Sequence, residues 1–269
     1  MGSKASTKKV RIDHFLQFSS FLQREVVFDC YVPATPPPDG PARLLILNDG
    51  QDMQALGLEQ ILETLFRNKA IRLYVVAIHA GPQRRQEYGT AGYVDAQGRG
   101  CKADLYTRFM MKELVPFVQQ QYHLHFDKKA IAGFSLGGLS ALDIAWNHPQ
   151  DFQSVGIFSG SLWWRSRDVG NGYKEESDRI MHRQIREGNF DPSLKFFLQC
   201  GTNDEEADRN ANGVIDSVDD TEALIEALEK KGYVKGQQIE YSLVKGGKHD
   251  LATWAGVMPK FLEWMSADA

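Results

Sequence analysis

The chain has 269 residues, 42% hydrophobic and 25% charged, with a net charge of −4. That size and balance suit one large α/β domain, read here over 1–269, and exclude a disordered chain. The mild negative charge argues against a nucleic-acid-binding surface, and no apolar run reaches the ~20 residues needed to span a bilayer.

The first residues, MGSKASTKKV, are basic and no apolar core follows them. Residues 1–9 therefore read as a flexible tail and not as a secretory signal, which predicts a cytoplasmic location, with a leader removed beforehand as the alternative. Cys30, Cys101 and Cys200 are odd in number and scattered. They fit neither a disulfide framework nor a zinc pattern and read as buried apolar thiols.

Along the chain, VRIDHFLQF (10–18) and REVVFDCYV (24–32) read as an antiparallel pair at the start of a sheet. PATPPPDGPA (33–42) reads as a surface loop. RLLILND (43–49) is a continuous apolar run, the pattern of a strand buried on both faces. YVVAIHA (74–80), KKAIAGF (128–134), SVGIFSG (154–160), KFFLQCG (195–201) and IEYSLVK (239–245) follow it. Helical patterns lie between: 54–68, 103–122, 136–149, 175–188, 220–232 and 255–265. Strands alternating with helices predict a mostly parallel sheet covered on both faces, with functional residues at the carboxyl ends of the strands.

One such end reads GFSLGG. Gly133, Ser135 and Gly137 fit G-x-S-x-G between a strand and a helix, the nucleophile elbow. The turn is too tight for side chains flanking the serine, and it lifts the hydroxyl out at a helix N-terminus. A serine needs a base, and the expected order is Ser, acid, His. Of the later histidines, His148 ends the elbow helix and should point away. His182 lies in a polar helical stretch and is expected at the surface. His249, in KGGKHDLATW, falls between the last strand and the last helix, where the base belongs, with Gly246 and Gly247 letting that loop bend. The acid should follow KFFLQCG. Asp204 is nearest the strand end and is preferred over Glu205, Glu206 and Asp208; its role would be to orient and stabilise the imidazolium. The two oxyanion donors are expected to be the amides of Leu136, after the nucleophile, and Gln51, in NDGQDM.

With these residues in place the chain resembles the esterase-D-like family of α/β-hydrolases, which includes enterochelin, feruloyl and acetyl-xylan esterases and mycolyltransferases. The resemblance runs from about residue 24 and rests on LNDGQDM, RRQEY (84–88), KADLYTRFMMKELVPFV, GFSLGGLSAL, SGSLWW, CGTND and GGKHDLATWAGVMPKFL. It implies an α/β-hydrolase fold: a mostly parallel sheet with an antiparallel N-terminal edge and helices on both faces. It also implies a serine carboxylic-ester hydrolase acting on a small-molecule ester, with no cofactor for catalysis. Ser135, Asp204 and His249 carry over as the triad, and Gln51 and Leu136 as the hole. Arg84, Glu87 and Tyr88 would lie near the site, as substrate-side residues or as a buried ion pair shaping the loop. Trp163 and Trp164 would wall the pocket or pack in the core. No enterobactin-binding domain or carbohydrate-binding module is recognisable, so the resemblance carries the reaction class and not the ester. An acyltransferase, with an alcohol or sugar in place of water, is the alternative on the same residues. A monomer and an oligomer both fit.

The segment after Asp204 continues as DRNANGVIDSVDD. Counted from Asp208, oxygen-bearing side chains fall at Asp208, Asn210, Asn212, Asp216 and Asp219. Gly213 is sixth, the carbonyl of Val214 seventh, and Ile215 eighth, the pattern of an EF-hand loop for structural Ca²⁺. Position twelve is Asp219 where glutamate is usual; dockerin loops also end in Asp. The competing reading is an Asn/Gly-rich surface turn. A non-catalytic, calcium-dependent binding module would need a second such loop and leaves the elbow unexplained.

Overall fold

The computed structural model describes residues 8–35 and 41–267. Eight strands form one sheet: β1 Val10–Ser19, β2 Arg24–Pro33, β3 Ala42–Asn48, β4 Arg72–Ile78, β5 Lys128–Phe134, β6 Ser154–Phe158, β7 Lys195–Asn203 and β8 Ile239–Lys248. Their order is β1-β2-β4-β3-β5-β6-β7-β8. β2 runs against both neighbours and every other adjacent pair is parallel, so the antiparallel edge is at the N-terminus.

Both faces of the sheet are covered, which is why the central strands read as unbroken apolar runs. Successive side chains alternate between two cores. Leu44, Ile46, Tyr74, Val76 and Ile78 enter one, with helices α4 (Ala103–Phe109), α5 (Val115–Tyr122), α6 (Leu136–Asn147), α8 (Ile180–Glu187) and α9 (Asp216–Lys231). Leu45, Leu47, Leu73, Val75 and Ala77 enter the other, with α1 (Met53–Leu56), α2 (Leu58–Asn68) and α10 (Leu251–Ser266). Two short helices, α3 (Arg84–Glu87) and α7 (Glu175–Asp178), sit in loops. No described helix is long and apolar enough to cross a membrane.

Several elements differ from the sequence reading. The helix expected over 54–68 breaks at Gly57, whose φ of 77° ends α1. The run over 103–122 is helical throughout but widens to a π turn at Met110–Leu114. Pro116 lies two residues beyond and has no N–H to return to the carbonyl four residues back. The helix expected over 175–188 breaks at Arg179, which turns extended; Ile180 N–H donates to Trp164 O there. α9 begins at Asp216 and not at 220. Cys30 and Cys200 are buried, but Cys101 is exposed on a loop. Of the expected tail, residues 8 and 9 are tied to α2: Lys8 Nζ pairs with Glu59 at 2.7 Å and Lys9 N–H donates to Glu63 at 2.6 Å. Residues 1–7 of the tail and 36–40 of the proline-rich loop lie outside the described residues.

Candidate active site

β5 ends at Phe134 and α6 starts at Leu136, so Ser135 is the whole turn. Its φ of 54° and ψ of −122° are a conformation that residues with a Cβ rarely adopt. The glycines let strand and helix meet. A Cβ at Gly133 would overlap the Gly137 carbonyl, and one at Gly138 would lie 2.9 Å from Gly133 O. One at Gly137 would lie 2.7 Å from Asp49 Oδ2. Ser135 N–H donates to Phe158 O (2.9 Å) and Ser135 O accepts from Ser161 N–H (3.0 Å). The hydroxyl lies 3.4 Å from Ser161 Oγ. The first N–H groups of α6, that of Leu136 among them, have no intrahelical acceptor and face the N-terminal end of the helix.

The loop after β3 is bolted to that helix. Asn48 Nδ2 donates to Gly137 O (2.8 Å), and Asn48 Oδ1 accepts from Tyr106 Oη (2.7 Å). Asp49 is buried in the left-handed region at φ 62°. Its N–H donates to Tyr88 Oη (3.2 Å), and its carboxylate takes a two-bond fork from Arg84 at 2.6 and 2.8 Å. Gly50 lies flat on the end of β4, where a Cβ would sit 2.5 Å from Ala77 O. The Gln51 side chain accepts from Ala80 N–H (2.9 Å), which fixes the residue expected to supply the second oxyanion donor. Glu87 is buried and paired with Arg24 (2.5 Å), and Tyr88 is buried, its phenol held protonated by burial. Arg84 is the half-buried member of the three.

His249 is exposed and stands directly after β8. Gly246 and Gly247, expected in a loop, belong to β8 itself, where the register with β7 shifts between Gly201 and Asn203. Gly246 has φ 72°. The two strand ends touch at glycine: a Cβ at Gly201 would overlap the Gly247 carbonyl and lie 2.6 Å from Asp204 Oδ1. Asp204 therefore folds over Gly201, beside the chain that leads into His249. It is buried, while Glu205 is half-buried and Glu206 exposed. Asp204 Oδ2 accepts from Cys200 Sγ (3.3 Å), and buried Oδ1 has no donor among the described residues. Although the residue is exposed, partial desolvation of the ring lowers the pKa of the His249 imidazole; Asp204 opposes this, Arg84 adds to it and Asp250 opposes it. The imidazole thus feels both the expected acid and the Arg84 charge, although no hydrogen bond joins His249 to Asp204 or to Ser135. His182, expected at the surface, is fully buried, with Nε2 2.9 Å from Asp220 O and its pKa pushed down to about 3 by burial.

The acidic loop closes on itself. Asp208 accepts from Asn212 N–H (3.1 Å) and Gly213 N–H (2.9 Å), Asn210 Oδ1 from Asn212 N–H (3.1 Å), and Asn212 Oδ1 from Val214 N–H (2.8 Å). Asn210 Nδ2 donates to Asp219 (2.8 Å), and Arg209 N–H donates to Asp216 (2.8 Å). Gly213 turns the loop at φ 85°. No group of three or more His, Cys, Asp or Glu side chains among the described residues is arranged to hold a metal. Any cage here rests on amide and carbonyl oxygens as well as the carboxylates.

Trp164 is fully buried against Gly89 and Gly100, and Trp163 is half-buried; the Arg99 guanidinium lies over both rings at 5.2 and 5.0 Å. Sequence reasoning passed over Asp49 and Ser161. Each lay inside a quoted motif, LNDGQDM or SGSLWW, but only the folded chain shows that one forks to Arg84 and the other faces the Ser135 hydroxyl.

Sequence and structural comparisons both find similar proteins. The chain is 26% identical over 220 residues to the uncharacterized protein YjcH of Bacillus subtilis (strain 168), across 80% of this chain and 82% of that one. A ferulic acid esterase superposes with a TM-score of 0.71 at 17% identity, covering 96% of this chain and 98% of that one. The enterobactin esterase FES from Shigella flexneri, solved in the presence of enterobactin, superposes with a TM-score of 0.72 at 21% identity, covering 95% of this chain and 58% of that one. These structures establish the α/β-hydrolase fold. The profile of the family described as "Putative esterase" matches residues 19–265, so the chain belongs to that family and is a carboxylic-ester hydrolase.

Proposed function

We propose that the chain cleaves small-molecule carboxylic esters through an acyl-enzyme on Ser135, with His249 as base and Asp204 as the acid behind it. The observation that carries this reading is Ser135 itself, held at φ 54° in a one-residue turn that only its glycine neighbours permit. Strain of this kind persists where the surroundings enforce it, and here it presents a hydroxyl at a helix N-terminus. Ser135 Oγ attacks the ester carbon and its proton passes to His249. The carbonyl oxygen becomes an oxyanion facing the amides of Leu136 and Gln51. As the C–O bond to the alcohol breaks, His249 returns the proton to the leaving oxygen. Water then attacks the acyl carbon, gives a proton to His249, and the acid leaves as Ser135 recovers its hydrogen. Asp204 is favoured over its neighbours by its burial and by the orphaned Oδ1 beside Gly247. Turnover of p-nitrophenyl acetate tests the mechanism: Ser135→Ala should lower kcat by at least ~10³-fold. Wild-type turnover in that variant would end it.

We also propose a structural Ca²⁺ in the loop Asp208–Asp219, coordinated by Asp208, Asn210, Asn212, the Val214 carbonyl, Asp216 and Asp219. The donor set is oxygen only, which suits a hard cation. The ion would replace the N–H and amide donors that now satisfy these oxygens, and it would brace the segment that follows Asp204. EDTA should lower the melting temperature and excess Ca²⁺ restore it, by about 2.7 kcal/mol of stability at a hundredfold over Kd. An unchanged melting temperature together with no heat of Ca²⁺ binding would remove the ion.

A further inference from the structure

The end of β6 touches Ser135 directly and reaches His249 through Trp254. β6 stops at Phe158, and Ser159, Gly160 and Ser161 make a tight turn. Ser159 has φ 45°, a costly conformation for a residue with a Cβ. A Cβ at Gly160 would lie 2.5 Å from Ile157 Cγ2, so the turn closes only with glycine there. Both serines are buried, at 2% and 5% exposure, although neither contributes to the apolar cores.

On one side the turn grips Ser135 at three points. Phe158 O accepts from Ser135 N–H, Ser161 N–H donates to Ser135 O, and Ser161 Oγ is the hydroxyl's side-chain neighbour at 3.4 Å. On the other side Ser159 Oγ accepts from Trp254 Nε1–H at 2.9 Å. That indole lies against Phe134, the residue before the nucleophile, with ring centres 4.9 Å apart. It also stands nearly perpendicular to His249, at 5.2 Å and 78°. The His249 ring makes no hydrogen bond among the described residues; its aromatic contact there is with Trp254.

We propose that the Ser159–Gly160–Ser161 turn is a positioning element for the hydrolysis: Ser161 holds the Ser135 hydroxyl for attack, and Ser159, through the Trp254 indole, fixes the ring of His249. The proposal rests on the reading of Ser135 and His249 as nucleophile and base. Ser161 keeps its own proton throughout. It donates to Ser135 Oγ as that oxygen loses its proton to His249, which stabilises the developing alkoxide. The strain at Ser159 is the cost of bringing two hydroxyls, one facing each reactant, onto three residues. Pre-orientation of this kind acts on the chemical step and leaves ground-state binding alone.

The test uses the full chain with p-nitrophenyl acetate and, separately, a fluorophosphonate that reports Ser135 reactivity without an ester substrate. Ser161→Ala should slow phosphonylation and kcat about tenfold, the effect of one neutral hydrogen bond, and Ser161→Thr, which keeps a hydroxyl, should recover most of the loss. Ser159→Ala and Trp254→Phe should each lower kcat about tenfold with KM within about twofold, and the double variant should be no slower than either, because both remove the same bond. Melting temperatures identify any variant whose loss reflects unfolding, and Ser159→Ala is the milder of that pair. Wild-type rates in Ser161→Ala, or in both Ser159→Ala and Trp254→Phe, overturn the proposal, as does a double variant whose losses multiply. If Ser135→Ala itself remains active, the serine mechanism fails first; if Ser135→Ala is dead while these variants run at wild-type rate, only the positioning role fails.

Discussion

Asp143 sits on α6, two turns beyond Ser135, and is a carboxylate buried to 1% exposure with no cation against it. Its Oδ2 accepts from Ala91 N–H (2.9 Å), its Oδ1 from Asn147 Nδ2 (3.2 Å), and it forms part of the wall of a cavity of about 520 Å³ with Tyr93, Trp146 and Gln184. Burial pushes its pKa from 3.8 up to about 6, against the hydrogen bonds that favour the anion. Because the folded pKa is raised, the protein loses stability as pH rises from about 4 to about 6 and carries the full penalty above that. At 1.36 kcal/mol per unit, the shift amounts to about 3 kcal/mol at neutral pH. Asp143→Asn removes that ionisation. Its Oδ1 can still accept from Ala91, and Asn147 Nδ2 keeps the Asp143 backbone carbonyl at 2.8 Å. The variant should match wild type near pH 4 and exceed it near pH 8 by about 3 kcal/mol, roughly 6–12 °C in Tm for a chain of this size. Paired melting curves at both pH values cancel every other titrating group common to the two proteins. A Tm difference independent of pH, or a variant less stable at pH 8, would refute the reasoning.

Two further outcomes follow from the site. With His249 as the proposed base, the acid limb of kcat/KM should fall below the ordinary imidazole value of 6.5, since partial desolvation lowers its pKa, and Arg84→Gln should move that limb upward by removing a nearby cation; a limb that stays put in Arg84→Gln would separate that charge from His249. Gly133→Ala should be severely destabilised, because the new methyl would meet the backbone of Gly137 and Gly138 and no side chain could move aside; overpacking costs about 1–3 kcal/mol or more, and an unchanged melting temperature would show that strand and helix can separate there.

The strands and the elbow were legible because each rests on a local signal. The apolar runs of β3 to β7 record two covered faces, and GFSLGG records a turn that needs glycine on both sides. The helix breaks were less legible. Gly57 and Pro116 are visible punctuation, but the interruption at Arg179 comes from Trp164 O capturing the Ile180 amide, a contact between residues far apart in the chain. His182 was misplaced for the same reason. Its neighbours Arg179, Arg183 and Arg186 make the stretch look solvated, yet the imidazole is turned inward onto the Asp220 carbonyl. Ser161 and Asp49 escaped because their roles depend on which loops the sheet brings together at its carboxyl edge.

The segment GTNDEEADRNANGVIDSVDD shows both regimes within twenty residues. Asp204 is placed by β7 and by the glycine contact between Gly201 and Gly247, so its position belongs to the sheet. Arg209, the second residue of the loop counted from Asp208, has an almost fully buried side chain and answers to different partners. It pairs with Glu175 of α7 (2.5 Å), with Asp216 (3.2 Å) and with Asp220 of α9 (2.5 Å), and Asp220 also takes Arg179 at 2.7 Å. Burial raises the pKa of Asp220 and the two arginines oppose it, so the cluster is held together by mutual neutralisation in a dry setting. Removing either arginine would leave buried carboxylates short of a partner, which is far costlier than losing a surface pair. The loop is therefore anchored at its second position by a cation of the chain itself; of the remaining proposed oxygen ligands, Asn210 and Asn212 are exposed and Asp208 and Asp219 half-buried. The anchor and the proposed cage use different residues, Asp216 excepted. An ion bound as proposed above would order the Asn-rich tip, while the Arg209 cluster ties the loop to α7 and α9.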